Sequence, residues 1–280
     1  MNWVRLAILA RYTTYFTATN PIMNNSGAIN VSKFSYLSKL PTAWIPTTVK
    51  IDAKIDLNSL TTVLNENTLT FPLIIKPDRG ERGKGVQLVP TLNALTWIIK
   101  SSPCRDLLLQ TYCNYPNEAG ILYYRYPNEV RGRISSITTK EFCVLTGDGI
   151  SPWGKLIESN IRLSHRIKLL KERHADCWEI PSVKGEQKLV EPIGSHNLGT
   201  KFLSGQHLRS QVLTACLDHW ADQLPGFYYG RFDIKYTSWE ALLAGEEFKI
   251  IEINGVNAEP THIYDPNHTL AKAYRDIFFI

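Results

Sequence analysis

Phe71-Pro72-Leu73-Ile74-Ile75-Lys76-Pro77-Asp78-Arg79-Gly80-Glu81-Arg82-Gly83-Lys84-Gly85-Val86 is the stretch on which the reading of this chain turns. Its first half is an apolar run with adjacent isoleucines, which suits a strand that ends on a lysine. Its second half places Gly80, Gly83 and Gly85 close together, so the backbone can turn several N–H groups toward one point and cradle phosphate oxygens. Lys76, leaving the strand, would bring a compact positive charge to the same oxygens. The spacing excludes a P-loop, because no Gly-Lys-Ser/Thr opens a helix. It also excludes a dinucleotide fingerprint, because a second strand is expected near Val86 to Val89. Taken alone, the stretch reads equally as a flexible hairpin with a solvated rim of Lys and Arg.

A second block lies near the C-terminus. Gly230-Arg231-Phe232-Asp233-Ile234-Lys235-Tyr236 alternates strictly, so Arg231, Asp233 and Lys235 share one face of a strand and Phe232, Ile234 and Tyr236 the other. Glu252 and Asn254 sit two apart in the otherwise mostly apolar run from Phe248, and Gly255 follows. If these strands pair, Asp233, Glu252 and Asn254 converge as three hard oxygen donors, a set that suits Mg²⁺ completed by phosphate oxygens and water. The same alternation describes the wet face of an antiparallel sheet.

Between and before these blocks the elements are mixed. Residues 20–55, rich in Asn, Ser, Thr and Pro, read as extended connector. Helices are expected over Leu57 to Asn65 with Asp56 as N-cap, over Leu92 to Ile99, after Ser151 and Pro152, and over His207 to Leu224. In the last, Leu208, Val212, Cys216, Trp220 and Leu224 recur as one buried stripe. Strands are expected over Leu107 to Tyr112, Gly120 to Tyr126, Ile134 to Thr138, Phe142 to Leu145, Tyr228 to Tyr236 and Glu247 to Asn254. Neighbouring strands read as antiparallel, which makes the fold class α+β.

The chain has 280 residues, 44% hydrophobic and 20% charged, which excludes disordered, collagenous and coiled-coil classes. Its net charge of +5 is compatible with a phosphate-bearing ligand and too scattered to argue for nucleic acid. Five cysteines without C-x-x-C pairing argue against a disulfide framework or a zinc ribbon and for a reducing, cytoplasmic setting. The apolar patch Leu6 to Ala10 is too short for a membrane span.

Together the two blocks resemble the ATP-grasp superfamily, the fold of D-alanine–D-alanine ligase, glutathione synthetase and cyanophycin synthetase. The resemblance covers roughly residues 71–265. It rests on the order of the lysine strand and Gly-rich loop, then Arg231-x-Asp233, then Glu252-x-Asn254; the turn Gly147-Asp148-Gly149 before Ser151 is similar to one in the cyanophycin synthetase branch. It implies an α+β ATP-grasp fold, two α/β lobes with largely antiparallel sheets clasping the nucleotide. The implied division is a shortened N-terminal segment over 1–70, a small lobe over 71–112 and a large C-terminal lobe with the metal site over 113–280.

What the resemblance implies for residues is specific. Lys76 would contact the ATP phosphates under a lid of Gly80, Gly83 and Gly85. The strand with Gln110, Thr111 and Tyr112 would meet the adenine, with Gln110 where relatives often have an acidic residue. Glu118 would hold the ribose hydroxyls. Asp233, Glu252 and Asn254 would hold Mg²⁺ or Mn²⁺, and Arg231 would steady the transferred phosphoryl group. The segment before the lysine strand departs from relatives, which carry a complete α/β domain there.

Weaker candidates for a substrate are Arg133, His196, Asn197 and His262, which suit a carboxylate or an amine; each reads also as an ordinary surface or structural side chain. Trp3, Trp44 and Trp97 read as packing, and the run from Lys168 to Arg173 as a solvated helix face. The implied function is an ATP- and Mg²⁺-dependent ligase joining a carboxylate to an amine, with small-molecule partners such as an amino acid or peptide, no nucleic acid, and a homodimer as one arrangement. The alternatives are a kinase-like relative and a degenerate nucleotide-binding or scaffold subunit.

Overall fold

The computed structural model describes residues 2–80 and 83–278. Glu81 and Arg82, at the centre of the expected lid, lie outside the described residues. The chain forms two compact units, one of residues 1–139 and 202–280, the other of residues 140–201.

The larger unit contains two largely antiparallel sheets. In the first, β1 (Thr48–Asp52), β4 (Asp106–Thr111), β2 (Leu73–Pro77) and β3 (Gln87–Val89) lie in the order β1-β4-β2-β3. Helices α3 (Leu57–Glu66) and α4 (Leu92–Ser101) cover one face, and Leu60, Leu64, Leu95 and Ile99 pack there on Leu73, Ile75, Leu107 and Leu109. Asp56 and Thr91 cap these helices by accepting from the N–H groups of Ser59 and Ala94. The sheet draws its edge strand β1 from residues expected as connector. Within that same stretch, α2 (Lys33–Leu37) is capped by Ser32 and buries Tyr36 and Leu37. Burial of those two side chains outweighs a locally turn-rich composition.

In the second sheet, β5 (Asn117–Tyr124), β6 (Arg133–Glu141), β9 (Lys201–Ser204), β10 (Tyr229–Tyr236) and β11 (Phe248–Asn254) take the order β11-β10-β5-β6-β9. One face carries Ala119, Ile121, Tyr123, Phe232, Ile234 and Ile250 into a core shared with α7 (Gln211–Asp222) and α8 (Trp239–Leu243). The helix expected from His207 starts instead at Gln211, where Ser210 accepts from the Leu213 N–H. It buries Leu213, Leu217, Trp220 and Ala221; of the expected stripe, Trp220 and Leu224 are in the core and Leu208 and Cys216 pack against it, while Val212 is 54% exposed. A strict four-residue recurrence drifts about 40° round the helix per step, so the stripe drawn through Val212 cannot stay on one face.

α1 (Asn2–Ala10) and α9 (Leu270–Phe278) belong to the same unit. Trp44 packs on the second core, whereas Trp3 and Trp97 are exposed, contrary to the packing expected of them. No described helix is long and apolar enough to cross a membrane.

The smaller unit pairs β7 (Val144–Thr146) with β8 (Gln187–Leu189) beside α5 (Trp153–Glu158) and α6 (Ile167–Arg173). Helix α5 begins one residue later than expected: Pro152 is its N-cap and supplies no side-chain acceptor. The run on α6 is not wholly solvated, because Leu170 is buried and Arg173 joins Arg166 on the fully buried Glu191, at 2.7 and 2.8 Å. Mixed helix with antiparallel sheet is the α+β class expected from the sequence.

Candidate functional site

The second sheet turns a polar face away from its core, and the pairing register decides which side chains meet there. β10 pairs with β11 so that Asp233 stands opposite Glu252 and Arg231 opposite Asn254. On its other side β10 pairs with β5, placing Gly120 opposite Asp233 and Glu118 opposite Lys235. The three oxygen-bearing residues named from the sequence are therefore brought together on one face. This face is not wet: Asp233, Lys235 and Glu118 are all buried.

Charge on this face is matched locally. Arg231 donates from Nε at 3.2 Å and from Nη2 at 3.0 Å to Asp233, and Asn254 Nδ2 donates to Asp233 Oδ2 at 2.9 Å. Burial works against the Arg231 charge, but the Asp233 carboxylate outweighs it and holds its pKa above the ordinary value. Lys235 lies 3.7 Å from Glu118, and Lys33 lies 3.9 Å from Glu252, whose side chain is the most accessible of these acids. Gly120 makes room for the Arg231–Asp233 pair: a Cβ there would stand 2.9 Å from Asp233 Oδ1.

Lys76 comes from the first sheet. On β2, Leu73 and Ile75 face the apolar core, so Lys76 emerges on the opposite face. Its Nζ donates to Gln110 Oε1 at 3.0 Å and to the carbonyl oxygen of Ile251 at 3.1 Å. Gln110 in turn donates to Thr48 Oγ1 at 2.8 Å. Burial pushes the Lys76 pKa down to about 8, against the pull of the Glu252 carboxylate. A lysine that titrates near 8 is still mainly cationic at neutral pH.

The donor set formed by Asp233, Glu252 and Asn254 is hard oxygen throughout. A carboxylate has about four lone-pair sites, so Asp233 can accept from Arg231 and Asn254 and still face a cation. With Nδ2 of Asn254 turned to Asp233, its amide oxygen is left for the same cation. These residues fit a Mg²⁺ ion that keeps several waters or phosphate oxygens.

The other candidates are distributed. Gly83 and Gly85 adopt φ of +71° and +76°, the left-handed backbone that a glycine-rich turn requires. Thr111 and Tyr112 are half-buried at the end of β4, and the Lys235 ammonium lies 5.9 Å from the Tyr112 ring centroid. Arg133 is exposed at the start of β6, bonded to Glu129 and stacked near Tyr124 and Tyr126, so it is not brought to the polar face. His196 and Asn197 stand exposed in a short turn of the smaller unit, where partial burial and Arg162 push the His196 pKa down. His262 is buried against β6, its Nδ1 2.7 Å from Ser136 Oγ.

The sequence matches no protein-family model, and no curated protein matches it. In three dimensions the chain is similar to the VanG D-Ala:D-Ser ligase from Enterococcus faecalis, at TM-score 0.49 and 13% identity over 83% of this chain and 56% of that one. It is similar also to the D-alanine–D-alanine ligase from Bacillus anthracis complexed with ATP, at 0.43 and 13% over 85% and 61%. A bifunctional glutathione synthetase from Pasteurella multocida matches at 0.39 and 12% over 81% and 32%. These similar structures are ATP-grasp ligases. The chain spans from about a third to about three-fifths of their lengths, and at these scores its chemistry has to be argued from its own residues.

Three residues near this site were given no role in it from the sequence. Lys235, placed on the face of Asp233 by alternation alone, pairs with Glu118. Lys33 reaches Glu252 and donates to the Gly80 carbonyl from a segment expected as connector. Asp78 is fully buried at the mouth of the Gly-rich loop, accepting from Ser32 Oγ and the Phe34 N–H at 3.0 Å each, with Lys50 at 3.3 Å. Only its position directly after Lys76-Pro77 could have drawn attention to it.

Proposed function

We propose that this chain uses ATP and Mg²⁺ to join a small carboxylate to an amine through an acyl-phosphate. The observation that carries the reading is the hydrogen bond from Lys76 Nζ, on β2, to the Ile251 carbonyl of the strand bearing Glu252, beside the opposed pair Asp233 and Glu252. A buried ammonium next to hard oxygen donors is suited to a polyanion that arrives with its own cation.

In this reading Lys76 binds phosphate oxygens, and the N–H groups of the turn around Gly83 and Gly85 cover them. Asp233, Glu252 and Asn254 would hold Mg²⁺, which supplies charge neutralisation at the phosphates. Arg231, fixed by its contacts to Asp233, orients its remaining guanidinium donors toward the phosphoryl group as it passes to the substrate carboxylate. The strand end at Gln110 to Tyr112 receives the base, with Gln110 able to donate where an acid would only accept, and Glu118 takes the ribose.

The test is incubation with Mg-ATP and pools of amino acids, short peptides and amines, reading ADP, phosphate and product mass. Amide product with one phosphate per bond supports the ligase. A phosphorylated product that accumulates without amine makes the protein kinase-like, and tight ATP binding without turnover makes it a binding subunit.

A further inference from the structure

Away from the acid pair, the same sheet carries a second cluster. The segment after β11 runs back across the polar face to β6, where Thr261 Oγ1 donates to Thr138 Oγ1 at 2.9 Å and His262 meets Ser136. The register places Ser136 opposite Leu122 on β5, and Leu122 opposite Arg231 on β10, two strands from the phosphoryl-transfer residues. There His262 Nε2 lies 3.0 Å and His268 Nε2 3.1 Å from Asp276 Oδ2, and all three ligand atoms fall within 4.8 Å of one another.

We propose that His262, His268 and Asp276 form a binding site for a divalent cation of the zinc class. Two imidazole nitrogens and one carboxylate oxygen are a borderline donor set that suits Zn²⁺ or Co²⁺, unlike the all-oxygen set around Asp233. A tetrahedral ion with bonds near 2.0–2.1 Å separates its ligand atoms by about 3.3 Å. The two nitrogen-to-oxygen separations need widen by only a few tenths of an ångström to reach that edge.

The surroundings strengthen the assignment. Ser136 Oγ holds the far nitrogen of the buried His262, which fixes the ring with Nε2 turned to Asp276, as an outer hydrogen bond orients a metal-bound imidazole. The three ligand residues line a cleft of about 400 Å³ that also receives Arg209, Lys272 and Arg275. A fourth ligand could enter from the cleft, whose cations favour an anionic oxygen over a third imidazole. Bridging residues from the turn after β11 and from α9, the ion would tie α9 to the sheet. The site stands independently of the nucleotide reading.

The experiment strips the full-length protein with chelator and titrates it with Zn²⁺ and, separately, Co²⁺. One equivalent of Zn²⁺ should bind and raise the melting temperature. Co²⁺ should give tetrahedral ligand-field bands without thiolate charge transfer, which separates this site from the five free cysteines. H268Q and D276N should abolish the thermal shift, and S136A should weaken Zn²⁺ affinity by about 10–100-fold. Thiolate bands in the wild type, no Zn²⁺ binding, or undiminished binding in both ligand variants would overturn the proposal. The cobalt spectrum of the wild type decides the matter even if a variant fails to fold.

Discussion

Lys76 Nζ donates to the main-chain oxygen of Ile251 at 3.1 Å, so a lysine of β2 is held by the residue immediately before Glu252. The contact sets an ammonium from one sheet beside the carboxylates of the other. It also explains how the lysine is tolerated: Gln110 and Ile251 supply two acceptors to a cation that has lost its water.

The buried lysine makes stability depend on pH in a stated direction. Its folded pKa of about 8 lies below the ordinary 10.5, so between those values the unfolded chain holds a proton that the folded chain has shed, and stability rises with pH. Below about 8 the cost of the buried charge is fully present; above 10.5 it has gone. The difference between wild type and K76M should therefore change by on the order of 3 kcal/mol across this window. Urea midpoints measured at a series of pH values read it, and a flat difference curve would remove the depressed pKa.

Gly120 should be intolerant of even one methyl group. A Cβ there meets Asp233 Oδ1 at 2.9 Å and Arg231 Cδ at 3.1 Å, so G120A must push the pair apart. Overpacking of this kind costs about 1–3 kcal/mol. The telling result is a folded G120A protein whose melting temperature no longer responds to Mg-ATP. A full nucleotide response would show that the geometry of the pair is not used.

Asp78 is expected to matter for stability more than any other acid on the first sheet. Removing it leaves Ser32 Oγ and the Phe34 N–H without their acceptor and Lys50 with Asp106 alone. D78A should lose about 2–3 kcal/mol in urea denaturation, and D78N, which keeps an acceptor oxygen, less. A loss below about 0.5 kcal/mol, the scale of an ordinary surface change, would contradict the role assigned here.

What could be read in the sequence was what alternation and local chemistry encode. Arg231, Asp233 and Lys235 share a face by the two-residue period, and Glu252 and Asn254 meet them because their strands pair, as the alternation required. Contacts between distant segments were illegible. Lys33 to Glu252 and His262 to Ser136 join residues whose proximity depends on how loops cross the sheet, and neither segment has a periodic signal. Asp276 carries no signal in the sequence, and only the return of the chain to β6 gives it two histidines. The stripe expected on α7 departs for a different reason: Leu208, Cys216, Trp220 and Leu224 do meet the core, but a strict i+4 series drifts, so Val212 turns to solvent and Leu213 and Leu217 are buried beside it.

The last prediction separates a metal-binding face from a merely polar one. Asp233 and Glu252 stand directly opposite each other on β10 and β11, and the Glu252 side chain is 32% exposed with Lys33 at 3.9 Å. If Glu252 binds Mg²⁺, E252Q removes a ligand charge while keeping the side chain's size. Among the described residues its ion pair with Lys33 is long and partly solvated, a contact worth about 0–1 kcal/mol, so the fold should hardly notice the change. Mg²⁺-dependent phosphate release should fall by about a hundredfold or more, because a charge-bearing ligand at the transferring phosphates is lost. Phosphate release from wild type and E252Q, with melting curves of both, is the measurement. A folded E252Q protein that turns over at the wild-type rate would show that Glu252 is no ligand, leaving Asp233 and Asn254 as a hydrogen-bonded pair on a buried polar face.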